Sequence, residues 1–242
     1  MPNAFIRKTN LFAQLSDADT QVLERICSAP RTVKAAQDLV REGEVPDVVH
    51  LILSGFACRY KIVPAGTRSI MAYLLPGDMC DWHVFILREM DHSVATLSPC
   101  QVVEIPRTTV LEITDKHPAI TRAFWWMALL DEAVLRESIV NVSRRSADEA
   151  IAHLFCELLA RLESVGLRIG DGFELPVTQS ELADTVGISA VHTNRVIQSL
   201  RAKGLIELNT HGLQILDIAA LRELAGFRPN YLHLSGGKGG LA

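Results

Sequence analysis

The sequence is poor in the features that mark a secreted or membrane-bound chain. Only five of its 242 residues are cysteines, and they are widely spaced with no CxxC pair. This favours reduced thiols over a disulfide framework or a zinc ribbon. No apolar run approaches the roughly 20 residues that a bilayer span needs, and the first ten residues lack the apolar core of a signal peptide. We therefore expect a cytoplasmic protein without membrane contacts.

The sequence also lacks an excess of positive charge. Its 24 Lys and Arg residues face 28 Asp and Glu residues, which gives a formal net charge of -4. This balance argues against a surface coated for nonspecific nucleic-acid binding, so any DNA contact must come from a local patch. With 48% hydrophobic and 21% charged residues, the chain can bury a sizeable core and is long enough for two domains.

The stretch 176–208 carries the pattern of a helix-turn-helix. Thr178, with Glu181 three residues later, predicts a capping box at the start of a first helix. Gly187 ends that helix and can take the positive φ that a chain reversal requires. Ser189 then caps a second helix of about four turns. Two caps, a glycine turn and a polar outer face together favour a DNA-reading motif over a helical hairpin used only for packing.

The second helix is the predicted recognition helix, and its outer N-terminal face is the part that reaches base edges in a major groove. Arg195 can contact guanine O6 and N7, while Asn194 or Gln198 can pair with adenine. The candidates for base contacts are Ser189, Ala190, Val191, Asn194, Arg195 and Gln198. The candidates for phosphate contacts are Gln179, Ser180, His192 and Lys203.

The N-terminal half shows a different pattern, with short β-rich segments broken by glycine and by Pro76-Gly77-Asp78. It predicts a small antiparallel β-barrel or jelly roll, preceded by a short helix that Ser16 caps. Side chains alone do not always fill the interior of such a barrel, which makes it a natural place for a small effector. The predicted strands are 32–34, 38–41, 48–53, 57–63, 69–74 and 101–105.

A long helix is predicted from Pro118 to about Val142, with apolar residues on more than one face. This is expected for a helix that packs on its own barrel and also on a partner helix. A two-fold dimer would place two recognition helices about one DNA turn apart. We assign the dimer interface to the heptad-like seam and the barrel contact to the other face. The seam residues are Ile120, Ala123, Met127, Leu130 and Val134.

The remaining segments complete an α+β chain. Ser146 and Glu149 form another capping box after a hinge, and a hairpin after the recognition helix predicts a wing. The predicted division is a sensor domain at 1–117, a long dimerisation helix and hinge at 118–145, a winged helix-turn-helix at 146–230 and a flexible tail at 231–242.

A barrel, a long helix, a capped hinge and a winged helix-turn-helix in this order resemble the Crp/Fnr family of bacterial transcription regulators. The resemblance covers nearly the whole chain. It implies a homodimer that binds a near-palindromic operator. If the protein is an activator, the resemblance also implies RNA polymerase as a partner. The sensor would set DNA affinity by a population shift. The motifs that carry it are Gly43-Glu44, Gly55, Pro76-Gly77-Asp78, Glu104-Ile105-Pro106 and ELADTVGIS with Arg195.

The chain departs from the family at the positions that recognise known signals. Cyclic-AMP-binding members hold the ribose with a glutamate soon after the Gly-Asp pair, and the phosphate with an arginine before a Ser or Thr. Here Trp82 and His92, which precedes Ser93, occupy those places, and an imidazole cannot replace the arginine fork. Cyclic AMP is therefore disfavoured. An iron–sulfur cluster is also disfavoured, because no closely spaced cysteines precede Cys27.

The sequence leaves several alternatives for the signal that the predicted sensor domain detects. His83 falls where the carbon-monoxide-sensing haem member of the family has its iron ligand, so haem or a metal is one of them. A thiol switch at Cys80 or Cys100 and a regulator without any effector are others. The residues of the possible effector pocket are Trp82, His83, His92 and Ser93.

Two functions of other classes are the alternatives to DNA binding. A cupin-like metal enzyme would need a His-x-His pair with further ligands, a spacing that the sensor histidines do not give. A dimeric interaction protein would use its winged helix to bind protein instead of DNA.

Overall fold

Two antiparallel four-stranded sheets form the N-terminal half of the protein. The structure is a computed structural model that describes residues 3–80, 82, 89–209 and 212–234. One sheet has the strand order β1-β8-β3-β6 and the other β2-β7-β4-β5, which is the predicted double-sheet jelly roll. The strands are β1 (Arg31–Val33), β2 (Asp38–Val40), β3 (Val48–Ser54), β4 (Ala57–Ile62), β5 (Arg68–Leu74), β6 (Met79–Cys80), β7 (Ser93–Thr96) and β8 (Cys100–Pro106).

Helices surround these sheets and make up most of the C-terminal half, which ends in a 3₁₀ turn at Pro229–Leu232. Among the described residues, no helix is both long and apolar enough to cross a bilayer. The helices are α1 (Ala4–Phe12), α2 (Asp17–Ile26), α3 (Arg107–Lys116), α4 (Pro118–Ser143), α5 (Ala147–Ser164), α6 (Gln179–Val186), α7 (Ala190–Ala202) and α8 (Ile218–Ala225). A small third sheet contains β9 (Gly172–Phe173), β10 (Ile206–Asn209) and β11 (Gly212–Ile215).

Side-chain alternation sets the register of the central strand pair. Leu51 of β3 lies opposite Val103 of β8, and Val49 lies opposite Ile105. All four side chains are buried, because residues two apart on a strand share a face. They belong to one apolar core with residues from α1, α2 and α4. This core fixes the two sheets against the helices of the N-terminal half.

The chain folds into two compact units whose limits differ from the domain limits expected from sequence. The first unit holds Met1–Lys61, Tyr73–Asp131 and His233–Ala242, and the second holds Ile62–Ala72 and Glu132–Leu232. The division falls inside α4. The hairpin between β4 and β5 groups with the C-terminal half.

Helix α1 was not predicted from the sequence, and it is docked on the Pro76-Gly77-Asp78 turn. The Lys8 ammonium forms a buried ion pair with Asp78. Gly77 has φ +95, and a Cβ atom there would meet the carbonyl oxygen of Ala4 at 2.9 Å, so only glycine lets the helix approach. Phe5 also packs on Phe124 of α4, with ring centroids 6.2 Å apart. The turn is therefore shaped to receive α1.

The face of α4 that we assigned to the dimer interface is buried within the single chain. Ile120, Ala123 and Met127 belong to the sensor core, and Leu130 and Val134 are also buried within the single chain. These five side chains are at most 6% exposed, which leaves too little free surface for a dimer seam, so the burial contradicts that assignment. The face that remains open, called here the exposed stripe, consists of Trp125, Leu129, Leu135, Ile139 and Val142, each 37% to 63% exposed.

A buried polar cluster joins the end of α4 to α5. His153 is 1% exposed, and its Nε2 lies 3.4 Å from a carboxylate oxygen of Glu137. Its Nδ1 lies 3.5 Å from the side-chain nitrogen of Asn141. Arg145 donates to Glu137 at 2.9 Å and to Asn141 at 2.7 Å. Burial, helped by the nearby positive Arg145 and opposed by Glu137, lowers the pKa of His153 from 6.5 to about 4.

We expect His153 to make the protein less stable in acid. Because its pKa is lower in the folded chain, the unfolded chain takes up the proton first. The stabilisation is complete above pH 6.5 and is lost between pH 6.5 and about 4. The loss in the free energy of unfolding is about 3 kcal/mol. Urea denaturation between pH 7 and pH 4 should show this loss for the wild type and a shallower one for His153→Gln. Equal pH dependences would contradict the assignment.

Candidate nucleic-acid interface

Helices α6 and α7 form the predicted helix-turn-helix, with every predicted cap in place. Thr178 Oγ1 accepts from the backbone N–H of Glu181 at 3.2 Å, and the Glu181 carboxylate accepts from the Thr178 N–H at 2.8 Å. Gly187 ends α6 in the left-handed region with φ 73. Ser189 Oγ accepts from the backbone N–H of His192 at the start of α7. These bonds fix the turn between the two helices.

One face of α7 is buried and the other is open to solvent. Thr193, Val196, Ile197 and Leu200 are at most 2% exposed and hold the helix against the domain. Their spacing follows the helical period, which leaves the intervening positions facing outwards. The exposed residues of this outer face are Ala190, Val191, His192, Asn194, Arg195 and Gln198.

The outer face offers polar groups suited to base edges. Within the described parts of the chain, Arg195 has no carboxylate within ion-pair distance, so its guanidinium is available for a ligand. Asn194 is already oriented, because its side-chain nitrogen donates to the Oε1 atom of Gln179 at 2.9 Å. Gln179 is the first residue of α6 and is half-buried. The two helices are thus linked through their outer surface.

The predicted phosphate contacts differ in their surroundings. Ser180 and His192 are exposed. Lys203, at the C-terminal end of α7, forms an ion pair of 3.0 Å with Asp148 of α5, and Ser199 donates to the same carboxylate oxygen at 3.0 Å. The Lys203 side chain remains 49% exposed. Asp148 therefore anchors the end of α7, and Lys203 must exchange or share this partner to contact a phosphate.

The wing is a short sheet beside α7. Strands β10 and β11 pair antiparallel from Ile206 opposite Ile215 to Asn209 opposite Gly212, and β11 also pairs with β9. A Cβ atom on Gly212 would lie 2.3 Å from the carbonyl oxygen of Phe173, so glycine is required for this close approach. Residues 210 and 211 at the predicted hairpin tip lie outside the described residues.

Arg68, to which the sequence pattern assigned no role, contacts the first helix of the motif. Arg68, at the start of β5, donates from Nε to Asp184 of α6 at 2.8 Å, and its Nη2 lies 4.0 Å from Glu181. These contacts lie within the second compact unit. They offset negative charge on a helix that would cross a phosphate backbone. The long sequence separation gives no local signal for such a pair.

Three of the predicted effector residues, Trp82, His92 and Ser93, lie in the described part of the N-terminal half and already have partners there. Trp82 is 5% exposed and packs against Phe124 and Trp125, each with ring centroids 5.6 Å away. The hydroxyl of Ser93 accepts from the backbone N–H of Glu42 at 3.0 Å. Nδ1 of His92 lies 2.7 Å from an oxygen of Asp91, and this hydrogen bond lowers the pKa of Asp91.

His83 lies outside the described residues, so its prediction as a haem ligand stays a prediction. Nowhere in the described ranges do three or more His, Cys, Asp and Glu side chains come together as a metal-binding group. Cys80 and Cys100 are buried, and burial raises the pKa of the Cys100 thiol. A raised pKa keeps that thiol protonated and weakens it as a nucleophile.

A cavity of ≈ 340 Å³ opens elsewhere in the sensor, between α2, β8 and α3. Its walls include Val22, Ile26 and Ile113, with Arg25 and His117 among the polar groups. A hydrogen bond from the Ser16 hydroxyl lowers the pKa of Asp19, and the bond from His117 at 2.9 Å lowers it further. Among the predicted effector residues that the structure describes, Trp82, His92 and Ser93 do not line this cavity.

Comparison with known proteins matches both halves of the chain. Residues 30–117 match the cyclic nucleotide-binding domain, and residues 149–224 match the Crp-like helix-turn-helix domain. Over 215 residues the chain is 26% identical to the transcriptional activatory protein AadR of Rhodopseudomonas palustris, covering 88% of this chain and 87% of AadR. It is also 26% identical over 229 residues to the transcriptional activator protein FnrL of Cereibacter sphaeroides, covering 91% and 90% of the two chains.

Solved structures give the same fold. FixK2 from Bradyrhizobium japonicum matches with a TM-score of 0.72 at 18% identity, covering 81% of this chain and 96% of FixK2. A sensor domain of the cyclic nucleotide-binding type, followed by a winged helix-turn-helix, defines a class of two-domain transcription regulators. The chain belongs to the Crp/Fnr family of this class.

Proposed function

We propose that this regulator acts as a homodimer that binds a near-palindromic operator through α7, with a signal at the sensor setting its affinity for DNA. The observation that carries the proposal is the outer face of α7. Arg195 and Gln198 are exposed there, on a helix whose inner face and N-cap are fixed by the motif. A rigid helix with a guanidinium and amides on its exposed face suits readout of base edges in the major groove.

The exposed stripe supports a dimer built on α4. Trp125, Leu135, Ile139 and Val142 fall on first and fourth positions of three successive heptads, whose other two such positions are Ala128 and Glu132. Leu129 lies beside them. A helix face of this spacing packs against a second copy of itself in a parallel coiled coil. Two-fold symmetry would then present two copies of α7 to the two halves of an operator.

The sensor is proposed to answer a signal other than cyclic AMP. Where cyclic-AMP-binding relatives carry a glutamate for the ribose, Trp82 places a buried indole against Phe124 of α4. His92 and Ser93 stand where the phosphate would need an arginine followed by a Ser or Thr. The names of AadR and FnrL describe activators, so we propose RNA polymerase as a partner when the protein is bound at a promoter.

Replacing Arg195 with alanine tests the DNA-binding proposal. The bidentate contact of an arginine with guanine contributes roughly 1–3 kcal/mol of discrimination, so Arg195→Ala should weaken operator binding by this amount and relax one base position. The operator is first selected from a pool of random duplexes with the wild-type protein. Binding of every single-base variant of that operator is then measured for both proteins.

Arg201→Ala provides the matched control. Arg201 is an exposed arginine in the last turn of the same helix, away from the N-terminal face. Its loss should weaken binding to all variants by a similar, smaller factor. An unchanged base profile for Arg195→Ala would remove Arg195 from the set of base readers. Failure of the wild type to select any duplex would overturn the DNA-binding proposal and favour a protein partner.

A further inference from the structure

We propose that Gln179 is a positioning residue that makes Asn194 read adenine, by fixing which end of the Asn194 amide faces the base. The inference rests on the proposed function and adds a specificity device to it. The hydrogen bond from Nδ2 of Asn194 to Oε1 of Gln179, 2.9 Å long, is the observation behind it.

The hydrogen bond joins the two helices of the motif across their outer surface. Gln179 occupies the first position of α6, and Asn194 lies in the second turn of α7, one position before Arg195. The capping box of Thr178 and Glu181 fixes the backbone at Gln179, and buried Thr193 fixes the backbone beside Asn194. Both amides therefore extend from rigid backbone, and the bond between them determines their side-chain orientation.

An asparagine amide has two opposite ends, and they suit different bases. Adenine offers an N7 acceptor and an N6 donor in the major groove, so it needs one N–H and one oxygen from the amide. Guanine offers two acceptors, N7 and O6, and thymine offers O4, so these bases are better matched by N–H groups. An asparagine whose side-chain amide can rotate by 180° could bind adenine in one orientation, and guanine or thymine in the other.

Gln179 restricts this freedom when its own amide is held with the oxygen towards Asn194. By accepting one N–H of Asn194, it leaves the other N–H and Oδ1 for the base, which is the combination that adenine requires. Within the part of the chain that the structure describes, the side-chain NH₂ of Gln179 makes no other hydrogen bond and can donate to a phosphate of the backbone. A phosphate contact would hold the Gln179 amide with its oxygen towards Asn194. The contact of Gln179 with the DNA backbone thereby sets the base preference of Asn194.

The experiment measures base preference separately from overall affinity. The probe is a duplex selected by the wild-type protein, together with its single-base variants at every half-site position. Asn194→Ala identifies the position that Asn194 reads, where a preference for adenine of roughly 5- to 150-fold should be lost. Gln179→Ala should reduce the preference at that same position by roughly 2- to 12-fold, the value of one hydrogen bond. The double variant Gln179→Ala with Asn194→Ala should show the same base preference at that position as Asn194→Ala alone.

Two further variants separate positioning from a simple phosphate contact. Gln179→Glu keeps the oxygen that accepts from Asn194 but cannot donate to a phosphate, so adenine preference should persist while all affinities fall by a common factor. Ser180→Ala, the neighbouring exposed residue on α6, should lower all affinities without changing any preference.

The possible failures are distinguishable. If Gln179→Ala weakens all duplexes equally, Gln179 is a phosphate contact alone and the inference is wrong. If Asn194→Ala changes no position, Asn194 is not a reader, and the inference fails while operator binding stands. If the wild type selects no duplex, the proposed function itself fails.

Discussion

Replacing Leu129 and Ile139 with glutamate should convert the protein into a folded monomer with little affinity for its operator. Both side chains belong to the exposed stripe, at 54% and 63% exposure, so a charge there leaves the core of the chain intact. In a dimer the charges would meet their symmetry mates in an apolar seam. A monomer binds one half-site and loses the gain from linked binding, which is about 10²- to 10⁴-fold in affinity.

Light scattering coupled to gel filtration gives the mass, and titration of the selected operator gives the affinity. Leu111→Glu is the matched control, because Leu111 is an exposed leucine on α3 in the same compact unit as Leu129. It should remain dimeric and bind normally. If the Leu129→Glu and Ile139→Glu double variant keeps the dimer mass, the interface lies elsewhere and the proposed role of the stripe is wrong.

Lys8→Ala should destabilise the first compact unit by about 3–5 kcal/mol, because it removes the cation from a buried ion pair with Asp78. The Lys8 and Asp78 side chains are only 9% and 5% exposed. The other carboxylate oxygen of Asp78 accepts from the backbone N–H of Leu75 at 2.8 Å, so the charge cannot turn towards water without breaking the turn. Since native domains are stable by about 5–15 kcal/mol, the expected loss is a large fraction of the total.

Chemical denaturation followed by circular dichroism measures this loss. Lys61→Ala is the control, because Lys61 pairs with Glu42 at 2.9 Å on the surface of the same unit, where both side chains are more than 40% exposed. Its loss should change stability little, because water screens an exposed ion pair. The double replacement Lys8→Met with Asp78→Asn should recover much of the stability, since no buried charge remains. If Lys8→Ala and Lys61→Ala are equally stable, the buried pair does not hold α1 in place.

Local sequence signals were sufficient for the helix-turn-helix. The capping residues Thr178, Glu181 and Ser189 act on backbone groups within three residues of themselves, and Gly187 acts on its own φ angle. Such short-range effects do not depend on the rest of the fold, so the limits of α6 and α7 follow from the sequence alone. The same holds for the capping box at Ser146 that begins α5.

Elements without a local signal were missed. All four residues of β7 are buried, so this strand shows no alternation, and β6 has only two residues. Helix α3 begins after Pro106 without a side-chain cap. The contact of Arg68 with Asp184 and the ion pair of Lys8 with Asp78 join residues that are far apart in sequence. Only the assembled chain brings these groups together.

By itself, the sequence determined that α4 is a long helix with two apolar faces, and that the chain ends in a capped, winged helix-turn-helix. It could not determine which face of α4 packs on the sensor. Ile120 and Trp125 are five residues apart, roughly 140° around the helix, and each begins a heptad-like series. Burial depends on which side the sheets and α1 occupy. The tertiary structure buries the series that begins at Ile120 and leaves that of Trp125 exposed.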